Sequence, residues 1–207
     1  VKGLTFKNMK YEFNTILESL EKAGYNNYWK VLNAKDYGIP QNRERLFIVS
    51  IRKNIDTKSF KFIDKNCSYF KNKEKTIDDI LEATVSTKYN LSEKATRRIN
   101  ERLGNKEGKI YNWYNDVIIK EEFKTLTTNC GSWGARTGQI VINSKNNYRR
   151  LTPIECWRLM GFDDEDVKKC REKGISDTQL YKMAGNSICV PVIGSIYLAI
   201  QKQGIFF

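Results

Sequence analysis

Apolar positions change their spacing twice within the first fifty residues. Met9, Phe13, Ile16, Leu17 and Leu20 recur at helical spacing and stop at Gly24, which predicts a helix over 9–23. Tyr28-Trp29-Lys30-Val31-Leu32 reads as a strand, and so does the β-branched run at 45–51. The turn-rich Asn33 to Asn42 lies between them, so the two strands form an antiparallel pair carrying a functional loop. Residues 52–75 are polar and lysine-rich. Thr76 with Asp79 marks a capped helix at 77–82, and Ser92 caps a second at 93–103, closed by Gly104 to Gly108. Short strands follow at 109–119 and 137–143. Thr152-Pro153-Ile154-Glu155 is a capping box with proline at the first helical position. Leu151, Ile154, Leu159 and Met160 give that helix its apolar faces and Gly161 ends it. An apolar helix, Ile188 to Ile200, follows Ala184-Gly185-Asn186-Ser187.

Composition narrows the partners. The 207 residues suit one large domain or two small ones, without internal repeats. The net charge of +12 favours a polyanion, nucleic acid first and an anionic membrane second. A surface generally rich in lysine accounts for part of it. Histidine is absent, which removes the commonest general base and metal ligand. The five cysteines (Cys67, Cys130, Cys156, Cys170, Cys189) are odd in number and form no C-x-x-C pair. They read as reduced, buried thiols of a cytoplasmic protein rather than a disulfide framework or a metal site. No apolar run reaches membrane-spanning length and no signal peptide opens the chain, so no membrane partner is expected. The first residue is Val1, and the chain reads as a piece of a longer polypeptide; removal of a tag or initiator Met is the plain alternative.

Three segments carry candidate chemistry. In Gly38-Ile39-Pro40-Gln41-Asn42-Arg43-Glu44-Arg45, two arginines at spacing two stand at the mouth of a buried strand and point to one face. Arginine there is costly unless it meets a carboxylate, a phosphate or a base edge; the alternative is a pair of structural arginines holding a hairpin. The stretch 125–138 is dense in Thr, Gly, Asn and Ser and offers hydroxyls, amides and close-approach N–H groups, as a plain turn loop also would. Gly185-Asn186-Ser187 exposes an amide and a hydroxyl before a helix, unless Ser187 merely caps it. Arg97, Arg98 and Arg102 recur at helical spacing, a basic face or an ordinary solvated one.

In order, these segments resemble the C-terminal half of bacterial DNA cytosine-5 methyltransferases. Asp36 to Arg45 is similar to motif VIII of that family. Arg150-Leu151-Thr152 with Glu155, Arg158, Gly161 and Phe162 is similar to motif IX, and Gly185-Asn186-Ser187 to motif X. The family's Phe-x-Gly-x-Gly cofactor loop and Pro-Cys-Gln nucleophile motif are absent here, and Val1 stands where Glu-Asn-Val would end. The resemblance implies an α/β fold: the C-terminal part of a doubly wound S-adenosylmethionine-dependent methyltransferase sheet plus a smaller mixed α/β target-recognition domain. The expected divisions are 1–56 (catalytic part), 57–175 (recognition domain) and 176–207 (motif X returning to the catalytic part). It implies that Arg45 contacts a flipped cytosine near O2, with Arg43 supporting that site or a nearby phosphate. Asn186 and Ser187 would line the S-adenosylmethionine pocket. Gln41, Thr125 and Thr127 would touch DNA, Asn129, Arg136 and Trp133 would read bases, and Arg97 and Arg98 would meet phosphates. None of the cysteines fits the nucleophile: Cys156 lies within a helix, Cys189 in the apolar terminal helix and Cys130 in the recognition loop. The partners would be double-stranded DNA and the missing N-terminal half of a restriction–modification enzyme, without which this part is inactive and exposes a sticky sheet edge. A non-catalytic DNA-binding module and an RNA-modifying relative are the alternatives.

Overall fold

The computed structural model describes residues 2–63, 74–131, 138–144 and 147–202. In chain order the elements are α1 (Lys10–Lys22), β1 (Tyr25–Asn33), β2 (Gln41–Asn42), β3 (Glu44–Arg52), α2 (Ile77–Ile80) and α3 (Glu93–Leu103). Then come β4 (Ile110–Asn112), β5 (Val117–Ile119), β6 (Phe123–Lys124), β7 (Gln139–Ser144) and β8 (Asn147–Arg150). The remainder is helical: α4 (Pro153–Arg158), α5 (Asp164–Glu172), α6 (Asp177–Asn186) and α7 (Val190–Gln201). Contacts gather the described chain into two units. The first holds residues 2–38, 43–63 and 191–202; the second holds 39–42, 74–131, 138–144 and 147–190.

In the first unit, β1 and β3 pair antiparallel over their whole length, Tyr25 opposite Arg52 and Asn33 opposite Glu44. Alternating apolar and β-branched residues make both strands, as the pattern predicts. Gly24 ends α1 at a φ of 92°, a conformation that disfavours any side chain. Ile51, Phe60 and Ala199 form a small core, joined by Tyr28, Val49, Phe62, Ile63 and Ile200. Phe13 is the one buried residue of α1 and meets Trp29 edge-on, ring centroids 5.0 Å apart. Phe6, Tyr11, Ile16, Trp29, Ile55, Ile193 and Tyr197 stay exposed.

The second unit contains an antiparallel sheet of order β5-β4-β7-β8. Ile99 and Leu103 of α3 pack with Tyr111, Ile140 and Tyr148 of that sheet in a fully formed core. The predicted capping boxes are present: Thr76 with Asp79 starts α2, and Thr152 with Glu155 starts α4. Gly161, at a φ of 84°, follows the end of α4.

Several expectations change. The strand expected at 109–119 is a hairpin, β4–β5, turned at Asp116 with a φ of 56°. β8, β6, α5 and α6 carry no strong periodicity; α5 buries only Val167, although Asp163 and Ser176 are readable caps for α5 and α6. Gly185 and Asn186 are the last turn of α6 rather than a loop, and Ser187 is that helix's C-cap, not the N-cap of the next. Cys189 therefore precedes α7 instead of lying within it. The divisions also move. Phe60 keeps the chain beyond 57 in the first unit, and α6 packs on α4 in the second, with Trp157 Nε1 donating to Leu180 O at 3.0 Å. Residues 39–42 join the second unit because β2 pairs in parallel with β6. A doubly wound sheet is not present among the described residues, whose first-unit sheet is β1–β3. No single helix among them is long and apolar enough to cross a membrane.

Candidate functional site

The site residues of the second unit are organised by one buried amide. Gln41 is fully buried. Its Nε2 donates to Leu159 O at 2.6 Å, and its Oε1 accepts from Leu126 N at 2.9 Å. Phe123 N donates to Pro40 O at 2.7 Å, and Thr125 Oγ1 to Asn42 O at 2.6 Å. The Ile-Pro-Gln-Asn turn, the Thr125-Leu126 segment and the end of α4 thus meet at a single side chain. This corrects the expectation that Gln41 touches DNA: every strong donor and acceptor it carries is spent inside. Thr125 is half-buried, and its hydroxyl proton goes to Asn42 O.

Downstream of that clamp the chain alternates. Leu126 and Cys130 are buried, whereas Thr127 and Asn129 are exposed. The buried pair anchors the loop and turns the hydroxyl of Thr127 and the amide of Asn129 outward. α6 presses on the same loop: a Cβ at Gly185 would lie 2.3 Å from Thr127 C and 2.4 Å from Thr128 N. Those neighbours are backbone and cannot step aside, so this glycine is required for the close approach of helix and loop. The next residue, Asn186, is exposed at the C-terminal end of α6, and Ser187 Oγ donates to Ala184 O at 2.8 Å. A helix C-terminus favours a cation.

Behind the loop lies a saturated ion pair. Arg149 meets Glu155 at two points, Nη1 to Oε2 at 2.8 Å and Nη2 to Oε1 at 2.7 Å. The same carboxylate accepts from Thr152 N at 2.8 Å and Glu82 N at 2.9 Å. Arg158 is forked onto Asp164 at 2.7 and 2.6 Å and also donates to Ile80 O. These residues of the 150–162 segment hold the scaffold. Sequence reasoning found Glu155 as a cap but missed its partner Arg149; a charge set beside the apolar Tyr148 and Leu151 was the available signal.

In the first unit Arg43 is buried just before β3, its N–H donating to Asn33 Oδ1 at 2.9 Å. Because Arg43 lies outside β3, strand alternation does not pair its direction with that of Arg45. Arg45, opposite Leu32, is partly buried and donates from Nη1 to Glu44 O at 2.8 Å. No carboxylate pairs with it among the described residues, and desolvation lowers its pKa. A cation kept partly dry without a counter-charge is poised for an electron-rich ligand.

The other candidates divide. Arg97 and Arg98 are exposed on α3, while Arg102 stacks on Trp113, its Cζ 4.5 Å from the ring centroid. Arg136 and Trp133 lie outside the described residues, as does Cys67. Cys130, Cys156 and Cys189 are buried. Burial pushes the Cys156 thiol well above its ordinary value, and Cys130 beside it adds to the shift, the opposite of what a nucleophile needs.

With this geometry in hand, four likenesses are informative. The family model for C-5 cytosine-specific DNA methylases matches residues 1–202. The type II methyltransferase M2.ScrFI of Lactococcus lactis subsp. cremoris is 36% identical over 210 residues, which cover 98% of this chain and 53% of the relative. M.Bsp6I of Bacillus sp. (strain RFL6) is 32% identical over 220 residues, 98% of this chain and 64% of the relative. The crystal structure of S. pombe Dnmt2 methyltransferase superposes with a TM-score of 0.69 at 19% identity, covering 99% of this chain and 66% of that one. That likeness shows a shared α/β methyltransferase fold. The chain spans about half to two thirds of the length of these relatives.

Proposed function

This chain belongs to the C-5 cytosine-specific DNA methylase family, and from that premise we propose that it is the C-terminal portion of a restriction–modification DNA cytosine-5 methyltransferase. The observation that carries the reading is the Gln41 clamp, which gathers the segments similar to motifs VIII and IX and the recognition loop at one buried amide. A loop so anchored presents Thr127 and Asn129 to duplex DNA from a rigid base.

Cytosine C5 is a poor nucleophile. Addition of a thiolate at C6 makes C5 enamine-like, and the bond to the thiol is broken again once the C5 proton leaves. The target base must first leave the stack. In this reading the thiolate and the carboxylate that holds N3 come from an N-terminal half with a Pro-Cys-Gln motif, which also completes the doubly wound sheet. Arg45 supplies positive charge near O2 of the flipped base, where negative charge develops. Arg43 fixes the turn that delivers it. Asn186 and Ser187 would hold the amino-acid end of S-adenosylmethionine, which supplies the methyl group. Arg97 and Arg98 would meet phosphates at the edge of the complex.

The test is complementation. The chain mixed with, or fused to, an N-terminal half carrying the nucleophile should transfer labelled methyl groups to duplex DNA, and neither half should do so alone. Arg45→Ala should cut that transfer by about 10²–10³-fold while duplex binding persists. No transfer with both halves folded would sink the reading. Duplex binding with sequence preference but no transfer would instead mark a non-catalytic binding module.

A further inference from the structure

Arg149 and Arg150 are neighbours on β8 and point to opposite faces. Arg149 is answered in full by Glu155. Arg150 has no carboxylate among the described residues. Its Nη1 reaches Gly131 O at 3.4 Å and its Nη2 reaches Lys88 O at 3.3 Å, both at the long end of hydrogen bonding, and its buried Nε has no partner. The guanidinium lies 5.5 Å from the Tyr89 ring centroid. So much unanswered charge calls for an anion.

A cavity of about 230 Å³ opens beside it, lined by Thr128, Asn129, Arg150, Asp177, Thr178 and Lys182. Its one acidic wall is already neutralised. Asp177 takes Lys88 Nζ at 2.8 Å, Tyr89 OH at 2.7 Å and Arg171 Nη2 at 3.2 Å. Burial opposes ionisation of that carboxyl, yet the bonds from Lys88 and Tyr89 keep its pKa below the usual carboxylate value. What remains for a ligand is the charge of Arg150 and Lys182 and the donors of Thr128, Asn129 and Thr178. Hydroxyl, amide and cationic groups converging on one small volume suit a phosphate oxygen cluster. The cavity borders the exposed Asn129 of the anchored loop.

We infer that this pocket takes a backbone phosphate of the DNA duplex, with Arg150 and Lys182 as positioning residues that register the recognition loop on the strand. The inference rests on the DNA methyltransferase reading above. It assigns affinity, not base choice, to the two cations.

The experiment is a fluorescence-anisotropy titration of the full chain with duplex DNA over a salt series. Each phosphate contact contributes about 0.9 to the slope of log K against log salt. Lys182→Gln, a substitution on an exposed position of α6, should flatten the slope by about that amount and weaken all sequences alike. Arg150→Gln should do the same and Arg150→Lys should restore most of the loss, which guards against a merely misfolded variant. Lys168→Gln, an exposed charge elsewhere on the same unit, should leave the slope alone. An unchanged slope in Lys182→Gln and Arg150→Gln, with wild-type binding intact, overturns the phosphate pocket only. A wild-type chain that ignores duplex DNA overturns the pocket, whereas the reading beneath it falls only if the two folded halves together transfer no methyl group.

Discussion

The two larger sheets of this chain are built from similar residues and end in different states. β1 and β3 are each nine residues long, yet only Leu32 and Ile51 in them are buried. β4 is three residues long and wholly buried. The difference is the layer on top. α3 drives Ile99 and Leu103 into the shorter sheet, whereas the longer one meets only Phe13 of α1 and a small cluster of Phe60 and Ala199 at Ile51. Apolar strands alone therefore do not make a core; a covering face does. Under the proposed reading, the first unit's sheet receives that face from the N-terminal half, and the second unit is complete by itself.

The hardest blow to this contrast falls on the second unit's ion pair. Glu155→Gln leaves Arg149 charged in a site where the two side chains are 0% and 3% exposed. Breaking a buried pair from one side costs about 3–5 kcal/mol. Urea unfolding followed by circular dichroism should show the midpoint falling accordingly. A loss below about 1 kcal/mol would mean that the second unit does not depend on this hub.

Gln41→Ala should come next. It strands Leu126 N–H and Leu159 C=O in the interior, each orphan costing about 1–3 kcal/mol. Stability should drop while the salt slope of DNA binding stays put. The reverse pattern would return Gln41 to the DNA surface. Gly185→Ala is smaller, about 1–3 kcal/mol, because a Cβ 2.3 Å from Thr127 C forces helix and loop apart. Hydrogen exchange should rise at Thr127 and Thr128, with a parallel loss of duplex affinity.

These residues also show what the chain disclosed in advance. The β1–β3 pair, the capping boxes of α2 and α4 and the glycine stops follow from local rules and stand where the pattern put them. Helix α5 went unseen because its cap precedes a segment with one buried apolar position, and α6 because its buried residues, Leu180, Tyr181 and Ala184, span little more than a single turn. The role of Gln41 was hidden for another reason. A glutamine in a Pro turn looks the same in sequence whether it faces solvent or closes a junction 118 residues away. Gly185 hides a contact of the same kind, since only the approach of Thr127 makes its missing Cβ matter. Arg45 was legible as a cation at a strand mouth, and the structure adds that no carboxylate pairs with it among the described residues.

The smallest energetic effect is the most direct test of the open sheet. Trp29 is 47% exposed and Ile16 is 38% exposed. Replacing both by serine removes the edge-on contact of Trp29 with Phe13, an aromatic pair worth about 0.5–1.5 kcal/mol, so stability should fall by about that much. What should change is association. An uncovered apolar face gains by finding any partner, including a second copy. Sedimentation velocity should show the wild-type chain growing with concentration and the Trp29→Ser/Ile16→Ser variant staying smaller at the same concentrations. Addition of the N-terminal half should bring wild type to the variant's behaviour, since a true covering layer competes with self-association. If wild type is monomeric at every concentration, the exposed strand needs no cover, and the contrast between the two sheets reduces to their length.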